Sequence, residues 1–181
     1  MIVGIFIERL FRRFRLHWRL AEFILFLMII GPLIAPYFQA IPNPLYQAVA
    51  RFIFGLGSFV CPQPQFAPVY DGQLFAVCYR CYMAVFGLVI ARVLNRPGGP
   101  MRAWTFSARF GFLLINLLWL TIDVQFTHLG VWGANIPLMM VHGLVYGVSV
   151  GGVVFSALIF IDDLMDRKRT KVPALIPQSQ P

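Results

Sequence analysis

Apolar residues fill most of this chain in long unbroken runs, separated by short connections rich in proline, glycine and arginine. A helix needs about 20 apolar residues to cross a hydrocarbon core, because each residue advances about 1.5 Å. Four stretches satisfy that length. The first is LAEFILFLMIIGPLIAPYF, residues 20–38, with Pro32 inside it and Pro36 near its end. The second, 74–94, is long enough only if Cys78, Arg80 and Cys81 lie within the helix near one membrane face. The third runs from about Ser107 to Phe126, and the fourth from about Ile136 to Ile161. The pattern predicts an all-α integral membrane protein, a four-helix transmembrane bundle spanning residues 20–162.

A further apolar segment at 45–60 is short, carries Arg51 in its middle, and is bracketed by IPNP and CPQP. It reads as a re-entrant or interfacial helix. Before the first span, Val3, Ile7, Leu10, Phe11, Phe14 and Trp18 share one helical face and Arg9, Arg12, Arg13, Arg15 and Arg19 the other. Residues 1–19 are therefore expected to form an amphipathic helix at the membrane interface, a retained anchor on anionic lipid rather than a cleaved signal. Residues 163–181 read as a basic, partly disordered tail.

Composition agrees with a bilayer. Of 181 residues 59% are hydrophobic and 12% charged, and the mean hydropathy of +0.75 is too high for a soluble domain of this size. The net charge of +8 does not indicate nucleic acid, because the basic residues cluster at the ends of apolar segments instead of forming a face on a soluble fold. Lysine and arginine in short loops stay on the cytoplasmic side. The N-terminal arginines, then Arg92, Arg96, Arg102 and Arg109, then Arg167, Lys168, Arg169 and Lys171 all fall on one side, leaving Arg51 and Arg80 for the other. Both termini are thus expected to be cytoplasmic, with an extracytoplasmic cysteine-rich loop. The expected partners are the lipid bilayer and other membrane subunits, with no nucleic acid.

All three cysteines fall within 61–81. Cys78 and Cys81 form a C-x-x-C at the start of the second span, where helix N–H groups and Arg80 stabilise a thiolate. Three uses remain open: a structural disulfide; a zinc or other thiophilic metal site of Cys61, Cys78 and Cys81 with a fourth ligand from His128, His142 or Asp123; or a thiol oxidoreductase working with a quinone through Cys78 and Cys81. Arg80 and Asp123 are both costly at membrane depth, and pairing would relieve both. Gly143, Gly147 and Gly151 recur at steps of four, a stripe for close helix packing within the chain or against another subunit. His142, Tyr146 and Ser149 lie on the adjacent stripe. No nucleotide-binding loop, H-E-x-x-H or nucleophile elbow occurs. The expected role is non-catalytic, an accessory or scaffold subunit, with the oxidoreductase as the alternative.

The C-P-Q at 61–63, the CYRC at 78–81 and the IDVQ at 122–125 resemble a family of small prokaryotic membrane proteins, domain of unknown function 2085, over roughly residues 58–160. Cys61, Gln63, Cys78, Arg80, Cys81 and Asp123 match its pattern. Pro62 stands where the family usually has histidine, and Met83 and Val124 where it has glycine. The resemblance implies a membrane fold and carries no activity.

Overall fold

The computed structural model describes residues 16–70, 72–131, 133 and 135–170. Five helices dominate them: α1 Leu16–Ala40, α2 Pro44–Val60, α3 Tyr79–Leu94, α4 Phe106–His128 and α5 Ile136–Thr170. The expected amphipathic helix falls mostly on residues 1–15, outside the described residues, as do 171–181. Three helical stretches are long and apolar enough to cross a membrane: Trp18–Ala40, Phe106–His128 and Ile136–Leu164.

The expected second span differs. Its helix begins at Tyr79, not at Leu74, and its 16 residues reach about 24 Å against a hydrocarbon core of about 30 Å. The cause is local. Val69–Tyr70 and Gln73–Leu74 pair as a small antiparallel hairpin around Gly72, whose φ of 74° suits a glycine turn. Phe75 then donates its N–H to the Pro68 carbonyl, and the backbone becomes helical only after Cys78. The final helix also differs, running on to Thr170, beyond the end expected near Ile161.

Helix ends follow from short polar residues. Asn43 caps α2 by accepting the Leu45 N–H at 2.9 Å, with Pro44 in the first turn where a missing N–H costs nothing. Thr105 caps α4 through the Ala108 N–H, and Asn135 caps α5 through the Leu138 N–H at 3.1 Å. Between 94 and 106 the chain turns through Gly98, φ 80°, and a 3-10 turn at Pro100–Ala103.

Neighbouring pairs run in the order α4, α5, α3, α1, α2, so the short α3 lies between two longer helices. Glycines make the tightest seam. A Cβ on Gly143 would collide with the Arg80 carbonyl, on Gly147 with the Ala84 carbonyl, and on Gly151 with the Ala91 methyl. These contacts advance in step along both helices, so α3 and α5 run parallel, and the stripe seats α3 within the same chain. The α4 helix runs against both, since Asp123 meets Arg80 at one end and Arg109 meets Asn95 and Gly152 at the other. The second end also holds Trp18, which donates to Asp162 at 2.6 Å, and Arg92, which pairs with Glu22 at 2.9 Å. Outward residues such as Phe23, Phe26, Phe52, Ile115 and Leu118 are exposed and apolar, a surface that water would not tolerate over this area and that lipid suits.

Candidate metal centre

The three cysteines converge because two helix ends meet. Cys61 closes the C-terminus of α2, Cys78 precedes the first residue of α3, and Cys81 lies in the first turn of α3. Gly57 permits the approach, for a Cβ there would strike the Ala76 carbonyl. The three Sγ atoms lie within 4.8 Å of one another, and all three are free thiols. Cys61 and Cys78 are buried, packed with Val77 and flanked by Phe66 and Tyr82, while Cys81 is partly exposed.

Hydrogen bonding makes the sulfurs unequal. Cys61 Sγ accepts the Cys78 backbone N–H at 3.3 Å. Hydrogen bonds from the Cys78 thiol, then from the Cys81 thiol, hold the Cys61 thiol well below the ordinary range against an opposing push from burial. The three sulfurs are thus inequivalent in their hydrogen bonding. Such a set, fully deprotonated, could hold a soft metal ion.

Beside it sits a polar network built on Arg80. One guanidinium nitrogen donates to Gln63 Oε1 at 2.7 Å and the other to Asp123 Oδ2, with both charged side chains buried. Gln63 is itself buried, and its amide donates to the Val124 carbonyl at 3.5 Å. His142 Nε2 accepts the Trp119 indole N–H at 2.6 Å. As an acceptor Nε2 carries no proton, which assigns the ring proton to Nδ1. Nδ1 lies 3.3 Å from Asp123 Oδ2 but off the hydrogen-bonding direction, so that contact is electrostatic.

Asp123 and His142, considered as fourth ligands, are therefore engaged with Arg80 and Trp119, and His128 is exposed at the end of α4. The metal-capable cluster among the described residues is the three cysteines alone. A cavity of about 400 Å³ opens against Cys61 and Cys81, walled by Ser58, Phe59, Val60, Arg80, Leu120 and Tyr146.

Three participants were not visible as such. Gln63 entered only through a motif match, with no role. Trp119 precedes Asp123 by one helical turn, a spacing that puts both on one face. Arg109 counted as a loop charge, yet it is buried in the first turn of α4, donating to the Met101 carbonyl at 2.5 Å, Asn95 Oδ1 at 3.3 Å and the Gly152 carbonyl at 3.5 Å. Its position inside the expected third span was the available signal.

Three span-length apolar helices, a lipid-suited surface and a buried ion pair define a helical membrane protein with a three-thiol cluster at one end. The chain belongs to the family described as "Predicted membrane protein (DUF2085)", whose model matches residues 61–162, from the first cysteine through α5's apolar stretch. Comparison with curated proteins and with solved structures gave no match.

Proposed function

We propose that this protein is a multi-pass, non-catalytic membrane subunit whose three cysteines form a metal site on the extracytoplasmic face. In this reading α3 completes a fourth crossing with the hairpin before it, and both termini are cytoplasmic. The observation that carries the metal reading is the convergence of three unbonded Sγ atoms within 4.8 Å, two of them buried. Zn–S bonds of about 2.3 Å set sulfurs roughly 3.8 Å apart, a spacing inside the 4.8 Å within which the three Sγ atoms lie. Charge supports the orientation: Arg92 and Arg109 lie at the end where Trp18 meets Asp162, and the cysteines at the opposite end. The Arg80 network supports the scaffold role, because it fixes the cysteine loop to α3, α4 and α5 instead of leaving a reactive carboxylate or imidazole at the cavity wall.

The second reading is a thiol oxidoreductase, favoured by the low Cys61 thiol beside Cys78 and by the cavity reaching Cys81. Two thiols would become one disulfide, and two electrons with two protons would pass to a quinone. Native mass spectrometry of protein purified with reductant and no added chelator separates the two. A metal adduct lost with chelator supports the site. A metal-free chain that loses two mass units on addition of quinone and regains them on addition of a thiol reductant supports the oxidoreductase instead.

A further inference from the structure

Resting on the metal reading, we infer that the site is built for a soft monovalent cation of the copper(I) class, held by three sulfurs, and not for four-coordinate zinc. Structural zinc closes its shell with four protein ligands. Here the cluster supplies three, all sulfur. The nearby harder donors are already committed: Asp123 receives the Arg80 guanidinium and faces His142, and His142 Nε2 receives the Trp119 indole. Neither residue joins the group of ligand atoms within 4.8 Å of one another, which among the described residues is the three sulfurs alone.

Open three-ligand zinc is the catalytic arrangement, with water in the fourth position and a base to take its proton. The cavity against Cys61 and Cys81 is the place for that water. Its walls carry Ser58, Tyr146 and the paired Arg80 but no carboxylate and no imidazole, so a zinc-bound water would find no proton acceptor. A cation that prefers soft donors and is content with three has neither requirement. The cavity then serves as its entry, since it reaches Cys61 and Cys81 while Cys78 lies fully buried behind them. The N-terminus of α3 faces the cluster through Cys78 and Cys81 and offsets part of the negative charge that three thiolates bring.

The test uses the full chain, purified in detergent with reductant under anaerobic conditions, and two probes: copper(I) delivered as its acetonitrile complex, and zinc(II). The expected result is one copper per chain retained against bicinchoninate, with an X-ray absorption first shell of three sulfurs and no light donor, and zinc stripped by EDTA. Cys81→Ser, partly exposed and thus tolerable to the fold, should lower copper retention at least tenfold. Zinc that survives EDTA, or a nitrogen or oxygen in the copper shell, overturns this inference and leaves the metal reading standing. Retention of neither metal overturns both.

Discussion

The Cα of Gly143 is pressed so closely against the Arg80 carbonyl that no side chain fits between them. That contact joins the seam of two helices to the polar network, because Arg80 carries the ion pair and His142 adjoins the glycine. Enlarging residue 143 or 147 must therefore move α3 and everything attached to its first turn. Gly147→Val should destabilise the protein by about 1–3 kcal/mol or more through overpacking against Ala84. Gly111→Ala, on open ground in α4, should be neutral or slightly stabilising. Thermal unfolding in detergent, followed by circular dichroism, distinguishes the pair.

Removing one member of the Arg80–Asp123 pair leaves the other charge buried and alone. Asp123→Ala should cost about 3–5 kcal/mol, whereas a matched apolar double change, Arg80→Met with Asp123→Leu, should recover most of that loss. Additive losses in the double variant would show that the two side chains act independently. The monomeric fraction in size-exclusion chromatography after a heating series gives the readout.

Arg109 is satisfied mainly by carbonyls. Replacing it with alanine takes the donor from the buried Asn95 Oδ1, while the Met101 and Gly152 carbonyls keep the Trp104 N–H and the Ser156 hydroxyl, and should cost about 1–3 kcal/mol. Arg109→Lys supplies one donor group in place of a planar fork and should recover only part. A variant as stable as the wild type would mean that Arg109 serves topology alone.

Trp119→Phe removes the donor to His142 Nε2 while keeping the ring, and should cost about 1 kcal/mol. With Nε2 released, the ring proton is free to shift from Nδ1. Nitrogen-15 chemical shifts of the His142 ring should change between wild type and variant; identical shifts would remove the indole from the network.

Much of this fold was written in the chain's hydropathy. Spans of apolar residues located α1, α4 and α5, and the four-residue glycine spacing marked the seam, though not which helix it would meet. The second span starts later than its hydropathy indicates, because hydropathy is blind to the Val69–Leu74 and Pro68–Phe75 pairing that holds Leu74 and Phe75 out of the helix. Arg80 and Asp123 were legible as a pair, since two opposite charges at membrane depth have few other solutions. Gln63, Trp119 and Arg109 were not, because hydrogen bonds to carbonyls and ring nitrogens depend on helix rotation, which a single sequence does not specify. The cysteines were legible as a group, but their convergence needed the end of α2 and the start of α3 to meet.

Orientation has its own check. With reduced intact cells, a membrane-impermeant maleimide should label Cys81, the most accessible of the three sulfurs, without lysis. Labelling that requires breaching the inner membrane would place the cluster on the cytoplasmic side.

Metal stoichiometry across single cysteine variants bears most directly on the central claim. Elemental analysis of protein purified from membranes should give one thiophilic metal per chain for the wild type and nearly none for Cys61→Ser, Cys78→Ser and Cys81→Ser alike. A folded serine variant that keeps the full equivalent, or a wild-type chain with none and three titratable thiols, would contradict a shared three-sulfur site.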